Sequence, residues 1–138
     1  MLILGLTKTT LLDYPGHVAA ALFTGGCNFC CPYCHNRDIV LKNESLVPLA
    51  EEEVLAFLNK RRNVLTGVCI TGGEPTLHAD LPELITRIRE LSYLVKLDTN
   101  GTNPQMLHDL IDAGLIDHCA MDIKNAPDRY RITTGMQT

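Results

Sequence analysis

The chain has 138 residues, a hydrophobic content of 46% and a formal charge of −4, enough apolar material for the core of one domain spanning residues 1–138. Its basic residues are scattered apart from Lys60, Arg61 and Arg62, which argues against a nucleic-acid partner. No apolar run approaches a membrane span or a signal peptide, so the cytoplasm is the expected compartment, and the 6 cysteines are unsuited to a disulfide framework.

Strand-like and helix-like segments alternate along the chain, the pattern of parallel strands joined by helical crossovers in an α/β fold. An apolar lead-in, Met1 to Gly5, runs through a polar stretch to the turn Tyr14-Pro15-Gly16-His17, where a hairpin is expected. The first barrel-type strand follows over Val18 to Thr24, ending at a cysteine-rich loop. A helix is expected over Glu51 to Arg61, with Val54, Leu55 and Leu58 on one face, glutamates in its first turn and the basic triplet at its end. Val68 to Thr71 reads as the second strand. The next helix has Asp80 as N-cap, Pro82 and Glu83 in its first turn, and Leu81, Leu84, Ile85, Ile88 and Leu91 on one stripe.

Tyr93 to Leu97 forms the third expected strand. A helix then opens at Asn103 and Pro104, carries Met106, Leu107, Leu110 and Ile111, and ends at Gly114. The fourth parallel strand is Ile116 to Ile123, after which only a turn-like segment is expected before Thr138. Four parallel strands do not close a barrel. The last would present an unpaired edge, so either the chain is a fragment, truncated after its fourth parallel strand, or a partner covers that edge.

The loop after the first of these strands reads CNFCCPYC. Cys27, Cys31 and Cys34 would hold three irons of a 4Fe-4S cluster and leave the fourth iron open to a chelating small molecule. Cys27, Cys30 and Cys34 offer a second register in almost the same span. Structural zinc is the competing metal, but Cys69 and Cys119 stand singly in apolar strands and read as small buried hydrophobes rather than a second ligand pair. Gly25 and Gly26 permit backbone conformations closed to other residues, and Pro32 blocks helix formation between the second and third thiols.

Polar residues follow every other expected strand, where α/β folds collect their chemistry. After the second stand Thr71, Gly72, Gly73, Glu74 and Pro75, a turn whose glycines admit a ligand and whose carboxylate can accept from an ammonium group. After the third stand Asp98, Thr99, Asn100 and Gly101, which suit a capping turn and a ligand contact equally. Asp122 and Lys124 share a strand face, where they either neutralise each other or bind the two charged ends of an amino acid. His35 adjoins the last loop cysteine and is placed to line a pocket, whereas His17, His78, His108 and His118 read as surface or capping residues.

Cys27, Cys31 and Cys34, with Tyr33 before the third thiol and the run Gly72 to Pro75 downstream, resemble the radical S-adenosylmethionine enzymes. The stretches GLTKTTLLDYPGHVAAALFTGGCN and CPYCHN resemble more closely the glycyl-radical-enzyme activases, in particular the activating proteins of anaerobic ribonucleoside-triphosphate reductase. The resemblance implies a partial (β/α) barrel with two further strands beyond those present. It also selects Cys31 over Cys30 as cluster ligand, Cys30 standing where a basic or bulky residue is more usual.

It implies further that the open iron chelates the methionine end of S-adenosylmethionine, and that the reduced cluster cleaves this cofactor to a radical that takes a hydrogen from a glycine of the partner reductase. Tyr33 would pack near the adenine, Gly72, Gly73 and Glu74 would meet the methionine amino group, and Asp122 and Lys124 would hold the methionine and ribose end. Thr99 and Asn100 join the expected cofactor contacts. Asp98, Thr99 and the backbone near Asp122 would form a monovalent-cation site, and flavodoxin or ferredoxin would be the electron donor. Two other functions fit the same motifs: a radical enzyme acting on a small molecule, and a non-catalytic iron-sulfur electron carrier.

Overall fold

The computed structural model describes residues 1–41 and 44–136. Five strands lie side by side in chain order: β1 (Ile3–Thr10), β2 (Ala19–Thr24), β3 (Gly67–Gly72), β4 (Leu94–Thr99) and β5 (His118–Met121). β1 runs antiparallel to β2, and the pairs β2–β3, β3–β4 and β4–β5 are parallel. The helices are α1 (Arg37–Val40), α2 (Glu51–Arg61), α3 (Leu81–Glu90), α4 (Pro104–Asp112) and α5 (Tyr130–Thr134). This is the α/β arrangement read from the sequence, an open sheet consistent with a partial barrel, with β5 at its edge.

The parallel register separates the sheet into two faces. Ala20, Val68 and Val95 lie level, as do Leu22, Ile70 and Leu97, and these pack with Leu58 of α2, Ile85 of α3 and Leu110 of α4 in the main core. Burying each large side chain contributes about 1.5–3 kcal/mol. On the other face Ala21, Cys69, Lys96 and His118 form one row. That face carries small and polar residues instead.

Several elements depart from expectation. β1 continues to Thr10 because pairing with β2 supports residues whose polarity suggested a loop. Asp80 stands at the N-cap of α3, but its side chain makes no capping bond and instead meets the Met1 amino group at 2.5 Å. The amine's hydrogen bond, foremost, holds the Asp80 carboxyl below its ordinary range. The fourth parallel strand covers only His118–Met121, so Asp122 and Lys124 lie beyond the strand in the loop that follows it. α1 and α5 are too short to show a helical period; the rest of the helix assignments match in place.

Candidate active site at the strand ends

A cavity of about 220 Å³ opens at the C-terminal ends of the parallel strands. Cys27, Cys31 and Cys34 all line it. Cys30 is exposed and does not. Burial pushes the Cys27 thiol up, so loading a metal there must displace a held proton. Among the described residues no group of three Cys, His, Asp or Glu is drawn together tightly enough for a single metal ion. A cubane takes one thiolate per iron, so its requirement is three sulfurs around one hollow. The donor set fits.

The loop after β3 forms the facing wall. Gly73 donates its N–H to the Thr24 carbonyl at 2.8 Å, and Glu74 donates its own to the Gly26 carbonyl at 2.8 Å. A Cβ on Gly73 would lie 1.9 Å from the Gly26 oxygen, so only glycine permits this contact with the segment entering the cysteine loop. Gly72, at φ +111°, is pressed against the Thr24 backbone and does not line the cavity. The close approach that the glycine pair allows is therefore one of backbone to backbone.

Glu74 is almost fully buried at 1% exposure and still borders the cavity. Its Oε1 accepts from the Thr76 N–H and hydroxyl at 3.1 and 2.5 Å and from the Thr99 hydroxyl at 2.7 Å, while Oε2 accepts from the Asn100 N–H at 2.7 Å. One carboxylate thus joins the ends of β3 and β4. Asn100 reaches the cysteine loop, donating its amide to Asn28 Oδ1 at 2.9 Å, and Asn28 donates to Thr102 Oγ1 at 2.8 Å.

Beyond β5, Lys124 Nζ meets Asp122 Oδ2 at 2.7 Å, and both side chains line the cavity. Burial works to lower the Lys124 pKa, but the hydrogen bond and charge of Asp122 carry it above its ordinary value. Tyr33, 54% exposed, and His35 stand on the open side. Of the residues expected from sequence to hold the cluster or the cofactor, all line this cavity except Gly72.

Phe29, Asn36 and Val40 line it as well, without having been marked. Asn36 directly follows His35 and donates to the Gly72 carbonyl at 3.1 Å, a polar residue whose place beside the motif was its one signal. His78, read as a surface or capping residue, does cap the short 3-10 helix Pro75–Leu77, and its ring also bonds the Gly25 carbonyl at 3.0 Å and helps seat the cysteine loop. Asp98 is already engaged from below. Lys96 Nζ bonds its Oδ1, and the Cys69 thiol donates to its Oδ2 at 3.4 Å.

A half-barrel with three thiols and a ring of polar groups at the carboxyl ends of its strands has the layout of an α/β enzyme built around a metal cluster. The family profile described as the radical SAM superfamily matches residues 21–138, and the chain belongs to that superfamily. It is therefore a radical SAM family protein, and membership implies a 4Fe-4S cluster and S-adenosylmethionine.

Two proteins of Methanocaldococcus jannaschii, both provisionally named glycyl-radical enzyme activating enzymes, are similar to it. One is 36% identical over 131 residues, 94% of this chain and 53% of the relative; the other is 35% identical over 104 residues, 75% and 38%. A protein of Halobacterium salinarum designated a GTP 3',8-cyclase is 38% identical over 109 residues, 72% of this chain and 30% of the relative. The chain thus spans about half the length of the first of these relatives and less of the others. The crystal structure of QueE from Escherichia coli shares the fold, with a TM-score of 0.58 at 23% identity over 73% of this chain and 53% of that one. No helix among the described residues is long and apolar enough to cross a membrane.

Proposed function

We propose that this domain activates a glycyl radical enzyme, with anaerobic ribonucleoside-triphosphate reductase as its target. The observation that carries the reading is the convergence of three loop thiols and the polar ends of β3, β4 and β5 on one cavity. The names of the two Methanocaldococcus relatives support an activating role, and the sequence resemblance supports the particular reductase.

In this reading Cys27, Cys31 and Cys34 hold the cluster. When bound, the reduced cluster supplies the electron that cleaves S-adenosylmethionine, delivered by flavodoxin or ferredoxin in the cytoplasm. The chain's own residues bind and orient. Gly73 and Glu74 receive the methionine amino group, Glu74 through its less crowded oxygen, which accepts a single bond from the chain. Asp122 and Lys124 form a paired cation and anion that bind the methionine carboxylate and ribose end. Thr99 and Asn100 fix that wall, Tyr33 packs on the adenine, and His35 closes the open side.

The test is to load the protein anaerobically with iron and sulfide, reduce it with dithionite, and add S-adenosylmethionine with the reductase subunit. Release of 5'-deoxyadenosine together with a glycyl radical signal by electron paramagnetic resonance is expected. The cyclase relative favours a second reading, a small-molecule substrate. That reading predicts turnover with the small molecule and no protein-centred radical, and a redox-active cluster that releases no 5'-deoxyadenosine would mark an electron carrier.

A further inference from the structure

Cys30 and Cys31 are neighbours, and either could serve as the middle thiol of the loop. Their side chains leave adjacent Cα atoms across one peptide, so whatever pins the backbone there orients both. The structure places Cys31 on the cavity wall at 8% exposure and leaves Cys30 exposed on the far side.

The peptide of Cys30 is gripped by α5. Its N–H donates to the Thr134 carbonyl at 2.8 Å. Gly135 follows in the left-handed region at φ +66°, and a Cβ there would lie 2.2 Å from the Cys30 carbonyl oxygen and 2.9 Å from its carbon. Thr134 is fully buried, with its hydroxyl donating to the Tyr130 carbonyl at 2.8 Å. The Tyr130 ring meets that of buried Phe29 edge-on with centroids 6.1 Å apart, and its hydroxyl oxygen accepts the Lys124 N–H at 3.3 Å. The peptides on both sides of Cys30 and the residue before it are therefore held by one short segment.

We propose that α5 and Gly135 select the middle thiol of the loop, turning Cys30 out so that Cys31 faces the cavity, with Gly135 as the positioning residue. The inference rests on the reading of that cavity as a cluster site. A side chain on Gly135 cannot coexist with the observed Cys30 carbonyl, so the peptide must rotate or α5 must lift away. Lifting α5 away releases the bond to Thr134, and rotating the Cys30–Cys31 peptide re-aims the side chains on both sides of it, so either movement removes the distinction between the two thiols.

The test uses the full chain. Without metal, maleimide labelling read by peptide mapping is expected to modify Cys30 at least about tenfold faster than Cys31, because only the former is exposed. Gly135→Val is expected to bring that ratio towards unity. Gly114→Ala is the control: it also changes a left-handed glycine, at φ +63°, but its Cβ would meet nothing within 4 Å, so the ratio should stay as in wild type. Tyr130→Ala, which removes the prop beneath Phe29, should shift the ratio in the same direction as Gly135→Val and serves if the latter does not fold.

After reconstitution with iron and sulfide, Cys31→Ala should retain more cluster in the Gly135→Val background than in the wild-type one, because Cys30 becomes available. An unchanged labelling ratio in folded Gly135→Val and Tyr130→Ala proteins overturns the proposal. A ratio that shifts while wild type takes up no iron overturns the cluster reading instead and leaves the positioning role standing.

Discussion

Thr99 donates its hydroxyl to the buried Glu74 carboxylate at 2.7 Å, so the last residue of β4 is tied to the turn that follows β3. Glu74→Ala would strand the Thr99 hydroxyl, the Asn100 N–H and the Thr76 N–H in a largely closed site. Leaving buried donors unpaired costs about 1–3 kcal/mol each before relaxation, so a total loss of about 3 kcal/mol is expected in chemical denaturation. The cluster should survive, since no thiol bonds to Glu74, and affinity for S-adenosylmethionine measured by calorimetry should weaken. Unchanged affinity would leave the carboxylate as a brace for the turn alone.

Gly73→Ala should be worse for cluster loading than Gly72→Ala. Both substitutions introduce a clash, but the Gly73 methyl would strike the Gly26 carbonyl at the entrance to the cysteine loop, whereas that of Gly72 would strike the Thr24 backbone within the sheet. Iron content after anaerobic reconstitution, compared at matched folded fraction by circular dichroism, checks the order.

Burial first, and then the Asp98 charge, push the Cys69 thiol up to about 12 from an ordinary 9.0. Below pH 9 both folded and unfolded chains keep this proton. Between about pH 9 and 12 only the folded chain does, so the unfolded state binds fewer protons and stability falls as pH rises through that window. The full effect is about 4 kcal/mol. Cys69→Ala should flatten the alkaline slope of the melting temperature. Some slope will persist, because Tyr14 and Tyr93 are also raised by burial.

Lys96 is 7% exposed and pairs with Asp98. Lys96→Met should cost about 2–3 kcal/mol in urea unfolding, less than for a fully dry pair because the Asp98 side chain is 31% exposed. Adding Asp98→Asn to Lys96→Met should recover part of that loss, a positive coupling in the double-mutant cycle. Additive losses would mean that the two charges do not depend on each other.

The helices with clear apolar stripes, α3 and α4, and the apolar runs of β2, β3 and β4 were legible because burial on one face dictates their periodicity. The strand-end rule then located most of the cavity wall. Other features depended on tertiary contact. β1 extends through Thr7 to Thr10 only because β2 lies beside it, and Asp80 gives up its cap for the Met1 amine, 79 residues away in sequence. Asn36 and His78 carry their roles through bonds to the carbonyls of Gly72 and Gly25, partners 36 and 53 residues away that no local pattern announces. That the Gly72–Gly73 pair seats the turn after β3 against the Thr24 and Gly26 backbone is hidden for the same reason. A glycine pair shows that something comes close, not what it is.

The central claim, that Cys27, Cys31 and Cys34 grip a cubane with one iron free for the methionine end of S-adenosylmethionine, is tested most directly by Mössbauer spectroscopy of protein loaded with iron-57. Addition of S-adenosylmethionine should alter the isomer shift and quadrupole splitting of one iron in four and leave the other three in place. Spectra identical with and without the compound would contradict it.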